Sequence, residues 1–119
     1  MKPLFRVALP LVAIAILSPT AHAQAPEGNA AAGHEFALKV CSACHVVATD
    51  QEFPPIRRPP APAFRSIANR PATTAESVRT FLLSTHRTIE QPYNMPNLAL
   101  SDDQVANEAA YILSLRTRR

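Results

Sequence analysis

Cys41-Ser42-Ala43-Cys44-His45 is a C-x-x-C-H string, the spacing of covalent c-type haem attachment. The spacing has a chemical reason. Two thiols three positions apart can each form a thioether to one of the two vinyl groups of a haem. The following imidazole, His45, then lies under the macrocycle with a ring nitrogen aimed at the iron. These are the chain's two cysteines, so no other thiol competes. A redox C-x-x-C pair calls for a βαβ pattern around it, and none is visible. A four-ligand zinc site calls for more nitrogen and sulfur donors, and after residues 1–23 only His34 and His86 remain beside the motif. A local disulfide is the third alternative.

Haem attachment of this kind implies export, and the N-terminus reads that way. Lys2 and Arg6 form a basic start, residues 7–17 an apolar run, and Ala21-His22-Ala23 a small-x-small cleavage site. The expectation is a signal peptide over residues 1–23, a mature domain over 24–119 and a periplasmic protein. The apolar run is too short for a membrane span and contains Pro10. No stable membrane anchor is expected.

Loss of Lys2 and Arg6 leaves ten basic against nine acidic residues, a net charge of +1. Two ionised haem propionates bring this to about −1, so nucleic acid is excluded as an expected partner. Six aromatics remain after residue 23, with no tryptophan. That is a thin core for a domain of this size, and a buried haem would supply the missing apolar surface.

Residues 24–29 read as a disordered lead-in. Asn29 is placed to cap a helix over residues 30–40 that runs into the haem motif. Gly33 in its middle costs about 1 kcal/mol relative to alanine, and close packing against another helix is the natural reason. His34 reads as a solvated surface residue. Residues 48–62 are proline-rich, excluding helix and central strand. Residues 64–69 form a short helical turn closed by Pro71. Thr73-x-x-Glu76 reads as a capping box opening a helix to about His86, with Val78, Phe81 and Leu82 as its buried stripe. Residues 87–99 are loop. Ser101-x-x-Gln104 is a second capping box, followed by a helix whose Val105, Ala109, Ile112 and Leu113 share one face. The fold class is all-α.

Met95 is the expected sixth ligand of the iron. It is the one methionine after residue 23 and sits in the loop string Tyr93-Asn94-Met95-Pro96. A methionine usually fills a core, but its proline and polar neighbours argue against a helix face, and thioether is a known axial ligand. His86 is the rival ligand.

The chain resembles the class I, mitochondrial-type monohaem cytochromes c of small bacterial periplasmic form, over about residues 29–116. The resemblance rests on Gly33 ahead of the Cys41-x-x-Cys44-His45 motif, on Pro62-Ala63-Phe64 with Ile67 and Arg70, and on Met95 before a last helix bearing Tyr111. It implies three to five helices around one covalent haem, with the first and last helices crossing at Gly33. It also implies that the carbonyl preceding Pro62 receives the imidazole N–H of His45, and that Arg70 meets a haem propionate. Ala61 and Asn69 stand where the family usually has glycine, and Ala37 where a bulky residue is common.

The expected function is one-electron carriage with His45 and Met95 as axial metal ligands, and Cys41, Cys44, Pro62, Phe64 and Arg70 completing the cofactor site. With both axial positions filled by protein the iron has no place for substrate, so an enzyme is not expected. The expected partners are redox proteins met through a transient interface, with the arginines at 57, 58, 65, 79 and 87 available to orient an acidic partner, and the carrier itself is a monomer. The alternatives are a cytochrome subunit of a periplasmic dehydrogenase and a haem peroxidase or gas-binding protein.

Overall fold

A computed structural model describes residues 27–84 and 95–117. Four α-helices follow in order: α1 (Ala30–Phe36), α2 (Phe64–Ala68), α3 (Ala75–Leu83) and α4 (Asp102–Ser114). The all-α expectation holds, the one β feature among the described residues being an isolated parallel bridge between His45 and Ala61.

The Asn29 side chain accepts from the Ala31 and Ala32 N–H groups at 2.9 and 3.1 Å, capping two orphan donors of α1. The helix does not continue unchanged into the haem motif. Residues Ala37–Cys41 form one wider π-helical turn, closed by Ser42 N–H donating to the Ala37 carbonyl at 3.0 Å. Such single wide turns recur at functional sites, and this one delivers Cys41 to the core.

Helix α1 packs across α4, and the chain's two glycines make that possible. A Cβ on Gly33 would lie 2.2 Å from the Asn107 carbonyl oxygen and 2.7 Å from Tyr111 Cβ. One on Gly28 would lie 1.9 Å from the Ala106 carbonyl oxygen. Residues 27–29 are therefore not the disordered lead-in that composition suggested. The backbone of Gly28 rests on α4, and the Asn29 N–H donates to Asn107 Oδ1 at 2.7 Å. Ala37, fully buried, keeps the crossing close where a bulky residue would hold it open.

The start of α3 also differs. Thr74, not Thr73, is the N-cap, and its box partner is Ser77, with Oγ1 of Thr74 accepting from Ser77 N–H at 3.0 Å and Ser77 Oγ accepting from Thr74 N–H at 2.8 Å. Thr73 is buried, its hydroxyl donating to the Ile67 carbonyl at 2.7 Å. A threonine committed inward cannot cap, so the helix starts one residue later. Helix α3 ends at Leu83; His86 lies outside the described residues. The Ser101–Gln104 capping box forms as expected.

The core is small: Ala37, Val47, Phe64, Ala68, Val78, Ala109, Tyr111 and Ile112 are buried in one cluster with Cys41. The Tyr111 hydroxyl donates to the Val47 carbonyl at 2.9 Å, so its polar tip is satisfied inside. Arg116, just past the end of α4, reaches back along the chain. Its guanidinium donates to the Ala68 and Thr73 carbonyls at 3.0 and 2.5 Å, tying the end of α4 to the segment between α2 and α3.

Candidate functional site

The attachment loop owes its shape to backbone pairing with the proline-rich segment. Ala43 carbonyl accepts from Ile56 and Arg57 N–H groups, Cys44 carbonyl from Ala61, and Val46 carbonyl from Phe64. Gln51 completes the fastening, accepting from Val47 N–H at 2.9 Å and donating to the Ser42 and Phe53 carbonyls. Prolines cannot offer their own N–H groups, so the few non-proline residues of the segment carry the bonds. Neither Ala61 nor Asn69 adopts a left-handed backbone, which is why the non-glycine residues are accommodated.

A cavity of about 440 Å³ opens beside this loop, walled by α2, α3, residues 95–100 and α4. That volume lies in the range of small-molecule and cofactor pockets. Cys41, Cys44, His45, Pro62, Phe64, Arg70 and Met95 all line it, so the fold brings together every site residue expected from the sequence. Apolar side chains, among them Ile67, Val78, Leu82 and Ile112, make most of the remaining wall.

His45 is buried at 9 % exposure. Its Nδ1 lies 2.7 Å from the Pro62 carbonyl oxygen. A carbonyl only accepts, so Nδ1 is the donor in this contact and Nε2 is the nitrogen left to face a metal. The acceptor is Pro62's own carbonyl rather than the Ala61 carbonyl before it. The His45–Ala61 bridge sets the register of the two segments, and that register brings the next carbonyl along the chain to the ring. Phe64 stacks obliquely on the same imidazole at 5.3 Å between centroids, completing its orientation.

Of the two cysteines, which form no disulfide with each other, Cys41 is buried and Cys44 half-buried. Burial first, then the nearby Glu108 and Cys44, pushes the Cys41 thiol from 9.0 up to about 12. Met95 is half-buried. Phe81, expected in a buried stripe, is 52 % exposed while lining the cavity; its ring faces the pocket rather than the protein core. His34 is not simply solvated. It is half-buried, stacks on Tyr111 at 5.1 Å and hydrogen-bonds Asp50 Oδ1 through Nε2 at 3.0 Å.

Glu108 is the residue that sequence reasoning passed over. It is 1 % exposed and lines the cavity. Its position, three residues after Val105 and four before Ile112, lies on the inward face of α4, and that spacing was the available signal. Thr73, Leu98 and Leu100 also line the pocket unannounced, because loop contacts leave no periodic trace.

Among the described residues no cluster of three or more histidine, cysteine or acidic side chains is placed to hold a metal ion. Paired thiols, an imidazole in one tautomer and apolar walls in one cavity do suit a c-type haem.

The comparisons agree with that chemistry. The model of the cytochrome c family matches residues 30–116. The chain is 35 % identical over 103 residues to cytochrome c-552 of Bradyrhizobium diazoefficiens, covering 87 % of this chain and 88 % of the relative. No solved structure matches. The chain belongs to the cytochrome c family: it is an electron-transport haem protein with a covalent c-type haem, its cysteines standing at the C-x-x-C-H spacing.

Proposed function

We propose that the protein is a periplasmic one-electron carrier whose haem is held by His45 and Met95. The observation that carries this reading is their presence, across fifty residues of chain, in one cavity with Cys41 and Cys44. The haem supplies one-electron Fe(III)/Fe(II) cycling, and the chain supplies everything that tunes it. Thioethers at Cys41 and Cys44 hold the group in place. His45, oriented through Nδ1 by Pro62, offers Nε2 to the iron. Met95 offers a neutral soft thioether, which favours Fe(II) and raises the potential. The apolar walls at Phe64, Ile67 and Leu82 act in the same direction by disfavouring the extra charge of Fe(III). Arg70, exposed at the cavity rim, is placed to meet a propionate.

Export by a signal peptide over residues 1–23 leaves the domain 24–119 as the working protein. No helix of the described residues is long and apolar enough to cross a membrane. The carrier works without a stable anchor, as a monomer with transient redox partners. Of the arginines proposed to orient those partners, Arg65 is exposed and Arg57 half-buried at the cavity. Arg79 is committed to Asp102 at 2.8 Å and Arg58 to the Pro55 and Arg57 carbonyls; Arg87 lies outside the described residues. Arg57 and Arg65 therefore remain the docking charges to test.

The sixth ligand decides between carrier and enzyme. Thioether ligation of Fe(III) gives a weak charge-transfer band near the red edge of the visible spectrum. Met95→Ala is expected to abolish it, lower the potential and open the iron to carbon monoxide, whereas His86→Ala leaves it intact. A band that survives in Met95→Ala, or free carbon monoxide binding by the wild type, rejects the carrier reading in favour of a gas-binding protein or peroxidase.

A further inference from the structure

Glu108 is a buried acid in an apolar pocket, and the fold offers it almost nothing. Of its carboxylate oxygens, Oε2 has no hydrogen-bond partner among the described residues. Oε1 has the Cys41 thiol at 4.0 Å, a weak donor at the limit of contact. That single partner is lost on attachment, because a thioether sulfur carries no proton. Burying a carboxylate without partners is strongly unfavourable, and leucine at this position would pack the helix face without that cost. A structural role therefore does not account for the residue.

The cavity that Glu108 lines is the one that holds Cys41, Cys44 and His45. A carboxyl there feels the one unit of charge by which Fe(III) and Fe(II) differ, through a medium of low dielectric. We propose that Glu108 takes up a proton when the haem is reduced and releases it when the haem is oxidised, so that this protein couples proton exchange to electron transfer. On reduction an electron arrives from a redox partner, and a solvent proton forms an O–H bond on the Glu108 carboxylate. On oxidation the electron leaves to the next partner, the O–H bond breaks, and the proton returns to solvent. Charge in the pocket is held nearly constant in both directions.

The surroundings favour this exchange. Burial pushes the Glu108 carboxyl from 4.5 up to about 8, within reach of a pH at which a nearby positive charge changes its state. The groups that face it are few. Cys41 and Tyr111 are its electrostatic neighbours; the ring of His34, on α1, lies against Tyr111 rather than in the pocket. His45, Cys44 and the guanidiniums of Arg57 and Arg70 line the same cavity. Helix α3 and residues 95–100 contribute no charged group to it. Attachment removes both thiols, His45 is engaged with Pro62, and arginine carries a fixed charge, so among the described residues Glu108 is the group positioned to answer the iron.

The inference rests on the haem lying in this cavity, and the test separates the two. Midpoint potentials of the holoprotein are measured by spectroelectrochemistry between about pH 4 and about pH 10, the span bracketing the ordinary and shifted carboxyl. The wild-type potential is expected to fall as pH rises, by no more than the one-proton limit of about 59 mV per tenfold change in proton activity. Glu108→Gln is expected to be flat over the same window. Redox-difference infrared spectra of the wild type are expected to show a protonated-carboxyl C=O band in the reduced state that weakens on oxidation. A wild-type potential independent of pH, an unchanged pH dependence in Glu108→Gln, or no carboxyl band change overturns the proposal. An equal dependence in the variant assigns the proton to the haem propionates. If Glu108→Gln fails to mature, the wild-type potential and infrared band decide alone. Absence of covalent haem in the wild type ends the placement of the haem; a normal holoprotein with a flat potential ends only the proton coupling.

Discussion

An acid buried on the inward face of a helix leaves a mark on stability as well as on redox chemistry. At pH below 4.5 the Glu108 carboxyl is protonated in the folded and unfolded chain alike. Between 4.5 and about 8 only the unfolded chain ionises, so it binds fewer protons than the folded one and stability falls as pH rises. The slope contributed by this residue is at most about 1.4 kcal/mol per pH unit, and it levels off above about pH 8. Denaturant melts of the reduced holoprotein should therefore show wild type losing stability relative to Glu108→Gln across that window, with parallel curves on either side. Curves parallel throughout would mean that the carboxyl is not buried in the folded state. Cys41 shows the same physics in a thiol: burial holds it neutral, and only covalent attachment removes it from the titration.

At the scale of elements, the crossing of α1 over α4 turns on Gly33. Alanine is the better helix former by about 1 kcal/mol, so propensity alone favours Gly33→Ala. Its Cβ would meet the Asn107 carbonyl at 2.2 Å, however, and backbone of a packed helix cannot swing aside as a flexible side chain could. Overpacking of this kind typically costs about 1–3 kcal/mol, which exceeds the propensity gain. Chemical denaturation of the holoprotein is expected to show net destabilisation, and a variant as stable as wild type would mean the helices do not cross at this point. The wide turn at Ala37–Cys41 follows directly on α1. Helix α1 must lie flat on α4 and still turn Cys41 into the cavity.

For the molecule as a whole, the described core consists largely of small residues, and a cavity of about 440 Å³ opens beside it. The polypeptide alone has few large apolar contacts to set against chain entropy. A haem-free chain is expected to show little native helix by circular dichroism and no sharp thermal transition, as in proteins whose folding is coupled to a bound metal. Native-like helix with a cooperative melt in the haem-free chain would show that the polypeptide core suffices.

The all-α class, the attachment motif and the Ser101 capping box were legible in the sequence because each depends on neighbours within a few residues: helical spacing, thioether spacing, a cap and its third residue. Gly33 was legible as a helix cost that needed a partner. Other features depended on residues far apart in the chain. Thr73 abandons the cap to bond Ile67, Arg116 spans to Ala68 and Thr73, and Gly28 acquires its place from Ala106. Glu108 belongs to this second kind. Its letter in the sequence is that of a surface helix residue, and only the packing of α4 against the attachment loop takes its carboxyl out of water. Local chemistry is written along the chain, whereas burial, and the charge states that burial enforces, arises where distant segments meet.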